Sequence, residues 1–159
     1  MSYIDLIDLD QTEVAEIRFD PITGHRSLYS KKHFKANELI LKFFAKNVQS
    51  TPTYLTVQIS EHEHIELFPD CLECANHSCD PNCFFDTTSM EFVTIKPVKE
   101  GEELNFFYPS AEWDMDQPFK CLCGSSACIG EIKGAKYLTA DTIKKYRFTD
   151  FIQSKLGLK

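Results

Sequence analysis

Three cysteines in the stretch Cys121-Leu-Cys123-Gly-Ser-Ser-Ala-Cys128 have the types and spacing to bind a metal. Two thiolates two residues apart reach one zinc ion, and a four-residue gap with a glycine in the turn lets the third fold back. A structural zinc site requires four nitrogen or sulfur ligands, so one must come from elsewhere. The richest supplier is CANHSCDPNC, residues 74 to 83, and Cys71, Cys74, Cys79, Cys83 and His77 are all formal candidates. Cys71-Leu-Glu-Cys74 also has the spacing of a redox pair, but a Pro-containing loop follows it, which favours buried packing cysteines. A hydrolytic or redox protein built on Cys71-Cys74 or on a Cys-His pair is therefore one reading of this region.

The elements that must position these residues are mostly strands. Ala15, Ile17 and Phe19 alternate with Glu16, Arg18 and Asp20, and Leu55, Val57 and Ile59 alternate with Thr56, Gln58 and Ser60, the period of half-buried strands. Apolar runs at 39–44, 64–68, 92–95 and 104–108 add further short strands, and Asp20-Pro21, Gly24 and Glu100-Gly101 mark turns. Many short strands between turns predict a mainly β domain. From Pro118 to Gly134 the chain is loop-like and rich in glycine and cysteine. Beyond it, Thr139 or Asp141 can cap a helix, with Ile143, Tyr146, Phe151 and Ile152 at positions suited to burial.

A length of 159 residues allows one domain with a core and is short for two. The net charge of −7 disfavours direct nucleic-acid binding and suits a basic partner such as a lysine-rich tail. No apolar run approaches a membrane span. The opening MSYIDLIDLDQTE is acidic and lacks a basic stretch ahead of an apolar one, so no secretory signal is expected. Seven cysteines in that context point to a reducing interior, cytoplasmic or nuclear.

Four pieces together resemble the SET-domain protein lysine methyltransferases. Asn76-His-Ser-Cys-Asp-Pro-Asn-Cys83 is similar to the motif N-H-S-C-x-P-N-C, and Gly101-Glu-Glu-Leu-Asn-Phe-Phe-Tyr108 to G-E-E-L-x-F-x-Y. Phe119 to Gly130 resembles the post-SET zinc segment, and Leu28-Tyr29 through Asn37-Glu-Leu-Ile40 the first cofactor-contacting strand and turn. The ordered set covers residues 12 to 134. It implies a SET fold of several small β-sheets with a knot-like threaded carboxyl-terminal segment. The implied divisions are a SET domain over 1–116, a post-SET segment over 117–134 and a C-terminal, helical extension over 135–159.

The resemblance implies methyl transfer from S-adenosylmethionine to the ε-amino group of a lysine in a protein substrate. It makes Tyr108 the catalytic residue, its hydroxyl orienting the amine, with Phe85, Phe106 and Tyr108 lining the lysine channel. Phenyl rings without a hydroxyl there suit di- or trimethylation. Arg26, Ser27, Leu28, Asn76, His77, Tyr108, Trp113, Phe119 and Leu122 are the implied cofactor contacts. Cys79 becomes the fourth ligand beside Cys121, Cys123 and Cys128, around one structural zinc with no open position. A narrow aromatic channel and the cofactor's positive sulfur both disfavour a charged lysine, so no dedicated base is required. The chain departs from the family at His25-Arg26-Ser27, where G-x-G is usual, at Phe107, where aspartate is common, and before Asn76, where a basic residue is often found. The alternative reading is a non-catalytic SET-like zinc-containing module that binds a peptide. Substrate identity and oligomeric state are left open by the sequence.

Overall fold

The computed structural model describes residues 12–158. The amino-terminal part of the expected SET segment, residues 1–11, and the last residue of the extension lie outside them. The chain forms small sheets, as the strand periodicity and the family resemblance predict. Strands β1 (Ala15–Phe19) and β2 (Arg26–Ser30) make an antiparallel hairpin with Ile17 opposite Leu28. Its turn is closed by the Gly24 N–H donating to the Asp20 carbonyl at 2.8 Å, with Gly24 at φ +76°, a conformation that favours glycine.

The apolar run 39–44 divides into β3 (Leu39–Lys42) and β4 (Phe44–Gln49) rather than continuing. Phe43 causes the break: its side chain is fully buried while its N–H donates to the Met90 carbonyl at 3.0 Å. The two halves thereby enter different sheets. β4 pairs with β6 (Glu63–Phe68), which also pairs with β5 (Thr56–Ser60), giving the order β4-β6-β5. β3 pairs with β9 (Glu91–Thr94) and β9 with β8 (Cys83–Asp86), giving β3-β9-β8. The main core lies between these sheets, where Leu28, Phe43, Ile65, Leu72, Phe85, Phe92 and Leu104 are fully or almost fully buried.

Two very short strands, β7 (Asn76–His77) and β10 (Asn105–Phe106), pair in parallel, with Asn76 opposite Asn105 and His77 opposite Phe106. The run 104–108 is thus a strand for only two residues before a 3₁₀ turn at Tyr108–Ser110, where Pro109 withholds the N–H a ladder would need. Asn82 and Asn105 lock the crossing. Each backbone N–H donates to the other's Oδ1 at 3.0 Å, and the Asn82 amide donates to the Glu103 carbonyl at 2.8 Å.

Farther on, β11 (Phe119–Lys120) and β12 (Glu131–Ile132) form a ribbon around the cysteine loop. Helices α1 (Ala140–Ile143) and α2 (Asp150–Leu156) follow, capped by Thr139 and Thr149, whose hydroxyls accept from the Thr142 and Ile152 amides. Helices this short hold by packing. Ile152 and Phe148 are buried against Phe107, and Tyr146 stacks on Phe107 at 3.6 Å between ring centroids. Among the described residues no helix is long and apolar enough to cross a membrane.

Candidate functional site

The parallel pairing of β7 with β10 delivers Asn76, His77, Phe106 and Tyr108 to one cleft of about 580 Å³. Phe85, Phe119 and the exposed Leu122 line it too. The rings run in sequence: Phe85 meets Phe106 edge-on at 4.7 Å, Phe106 lies 4.8 Å from Tyr108, and Tyr108 meets Phe119 at 5.8 Å. Burial, the largest cause, pushes the Tyr108 phenol up to about 12. Tyr108 therefore remains an O–H donor across the physiological range.

His77 lies between the cleft and the cysteines. Its Nδ1 accepts the Tyr108 backbone N–H at 3.1 Å, and its Nε2 stands 3.3 Å from the Cys79 sulfur. Burial lowers its pKa to about 4, so the ring is neutral. With Nδ1 accepting, the ring proton belongs on Nε2 and points to sulfur.

The sulfurs of Cys79, Cys121, Cys123 and Cys128 all lie within 4.8 Å of one another, and those of Cys79 and Cys121 are 3.9 Å apart. Tetrahedral zinc with bonds of about 2.3 Å sets its sulfurs roughly 3.8 Å apart, so the set fits zinc. Its acid-base chemistry fits as well. Burial pushes Cys79 well up and Cys121 up to about 11. Cys123 is also opposed by burial, yet hydrogen bonds from the backbone of Cys79 and Ser125 and from neighbouring thiols hold it at about 7. Four close thiolates need a cation among them. Cys71 and Cys74 stand apart from this group, buried in the main core on the 3₁₀ turn Asp70–Cys74, and the described residues contain no disulfide.

Arg26, Ser27, Leu28 and Trp113 are not among the residues that line this cleft. Leu28 is fully buried in the main core and Arg26 is exposed on β2. Ser27 does not line the cleft, but its Oγ accepts from the Asn76 amide at 3.0 Å, as does the Arg26 carbonyl. Trp113 packs in the carboxyl-terminal cluster with Phe107, and the Lys155 ammonium lies 5.1 Å from its ring centroid.

The SET-domain model matches residues 25–109. The chain belongs to the SET-domain family. The match ends one residue beyond Tyr108, before the zinc-suited loop. Among its relatives, Methyltransferase flvH of Aspergillus flavus is 41% identical over 109 residues, 67% of this chain and 61% of that protein. The H3 lysine-4 specific histone-lysine N-methyltransferase of Emericella nidulans is 27% identical over 139 residues, 72% of this chain and 11% of the relative. Histone-lysine N-methyltransferase SETD2 of Homo sapiens is 30% identical over 109 residues, 65% of this chain and 4% of the relative. The SET-domain chain thus spans less than two thirds of each of these proteins.

One cleft residue escapes the motifs. Glu112 is only 8% exposed and lines the same cleft as Tyr108. The signal was present in the sequence: it is the sole acid in the otherwise uncharged stretch Leu104 to Trp113.

Proposed function

We propose that this SET domain transfers a methyl group from S-adenosylmethionine to the ε-amino group of a lysine in a protein. The observation that carries the reading is the convergence of Asn76, His77, Phe85, Phe106 and Tyr108 on one cleft. A cleft of about 580 Å³ has the size of a small-molecule site. Asn76, His77 and Phe119 would hold the cofactor, with Leu122 at its edge. When bound, S-adenosylmethionine supplies an electrophilic methyl on a positively charged sulfur.

Phe85 and Phe106 form apolar walls that disfavour the charged form of an entering lysine, helping the nitrogen lose its proton. Tyr108, held as a phenol, orients that nitrogen in line with the methyl group. Cys79, Cys121, Cys123 and Cys128 would hold one structural zinc. That closed set fixes the loop bearing Leu122 against the segment bearing His77. Residues 117–134 act in this reading as a zinc clip on the SET domain, and thiolate ligands suit a reducing compartment. The acidic net charge suits a basic substrate segment, such as a histone tail.

The test has two stages. Calorimetry on the zinc-loaded chain measures cofactor binding, and mass spectrometry of a panel of lysine-rich proteins, core histones included, then measures methyl transfer. Binding followed by a 14 Da increment on lysine is expected, the mass of about one CH₂. Zinc-loaded protein with no affinity for the cofactor would sink the enzyme reading in favour of a peptide-binding module.

A further inference from the structure

A carboxyl group buried with one oxygen unserved is costly, and native structures seldom tolerate it without a function. Among the described residues three buried side-chain atoms lack a hydrogen-bond partner: His64 Nδ1, Ser110 Oγ and Glu112 Oε1. Of these three residues, Glu112 is the one that lines the cleft. Burial raises its pKa well above the ordinary carboxylate value, and the Gln58 backbone N–H opposes that rise by hydrogen bonding. Oε1 is thus left without a partner.

The side chain does not owe its place to chance packing. The Glu112 carbonyl accepts from the Ala135 N–H at 2.8 Å, and the flanking Ala111 carbonyl and Trp113 N–H pair with the Gln58 backbone N–H and side-chain oxygen. Three hydrogen bonds on residues 111–113 therefore hold the backbone that carries this carboxyl. The cleft's other charged residues are differently placed. His25, Asp116 and Lys120 are exposed, and Glu73 is paired with Lys46 at 3.1 Å. The same cleft is lined by Val57, Leu67, Phe85 and Phe106, all buried and apolar. Such a wall suits a chain of methylenes, and a buried acid at its side suits a nitrogen at the end of that chain.

We propose that Glu112 is the acceptor for the substrate nitrogen, its incompletely paired carboxyl taking a hydrogen bond from a primary alkylammonium or alkylamine that enters the cleft it shares with Phe85, Phe106 and Tyr108. The inference rests on the reading of this cleft as a lysine site and adds a specificity-determining residue to it. An arriving cation favours the ionised carboxylate, the form that burial opposes.

The probe is n-butylammonium, which copies a lysine side chain, with 1-butanol as its neutral counterpart. Both are titrated into the zinc-loaded full chain and followed by NMR. A hydrogen bond to a charged partner is worth roughly 1.5–3 kcal/mol, or about ten- to hundredfold in affinity. Wild-type protein is expected to prefer the ammonium by at least about tenfold, and Glu112→Gln to reduce that preference to about twofold. A preference that survives in Glu112→Gln, or one absent from the wild type, overturns the proposal. Infrared difference spectra of the wild type need no variant: a change in the carboxyl bands on adding butylammonium, absent with 1-butanol, is expected, and unchanged bands overturn the proposal. Methyl transfer by the wild type is scored separately. The enzyme reading can therefore fail while the ammonium preference stands, and the reverse.

Discussion

The backbone N–H of Tyr108 donates to Nδ1 of His77 at 3.1 Å. This bond joins two motifs thirty-one residues apart and fixes which ring nitrogen faces sulfur. The cysteine cluster and the aromatic cleft are therefore coupled through one imidazole. Above them, the Tyr146 hydroxyl donates to the Cys79 carbonyl at 2.7 Å, tying the carboxyl-terminal segment to the same junction.

Loss of the Tyr108 hydroxyl should affect chemistry and spare binding. Tyr108→Phe keeps the ring that packs on Phe106 and Phe119. Turnover is expected to fall about a hundredfold or more, the usual cost of removing one positioned donor, with cofactor affinity nearly unchanged by calorimetry. Because the phenol titrates at about 12, wild-type rates should show no loss from phenolate formation near pH 10, where an ordinary tyrosine ionises. Equal turnover in the variant would refute the assignment.

Metal content is expected to be one zinc per chain by mass spectrometry. Cys79→Ser removes one of the four clustered sulfurs and should lose the metal together with thermal stability. Cys71→Ser and Cys74→Ser should retain it, since both residues are buried in the main core. Two zinc ions per chain, or full metal content in Cys79→Ser, would contradict this assignment.

Replacing the bridging imidazole should disturb both neighbours. In His77→Ala the Tyr108 N–H loses its acceptor and the Cys79 sulfur loses an adjacent ring nitrogen. Zinc affinity, measured by chelator competition, is expected to drop about ten- to hundredfold, the typical effect of removing a residue that supports a metal ligand. Unchanged affinity would mean that the Nε2 contact does not support the metal.

Gly134 should not accept a side chain. It has φ +124°, and a Cβ there would lie 2.4 Å from the Trp113 carbonyl oxygen. Gly134→Ala should destabilise the fold by about 1–3 kcal/mol in denaturant titration. The same change moves the strand of contacts that seats Glu112, since Ala135 donates to the Glu112 carbonyl. A variant as stable as the wild type would show that the backbone relaxes there without cost.

Much of the molecule is legible in residue order. Period-two alternation marks β1 and β5, and the spacing of Cys121, Cys123 and Cys128 marks three zinc-suited thiols. The order of the N-H-S-C and G-E-E-L motifs carries the SET family. Such features are local or family-wide, so a one-dimensional pattern records them. What only the tertiary structure decided is how residues distant in sequence divide one small space. The run 39–44 breaks because Phe43 is needed in the core while its neighbours are needed in two sheets. Ser27 stands where glycine is usual, and its hydroxyl accepts from the Asn76 amide. Trp113 packs in the cluster with Phe107, while its neighbour Glu112 lines the cleft. Adjacent side chains on an irregular segment point in different directions, and their burial depends on chain that arrives twenty or more residues later. No local periodicity encodes that, so the division of Glu112 and Trp113 between cleft and carboxyl-terminal cluster became visible only in three dimensions.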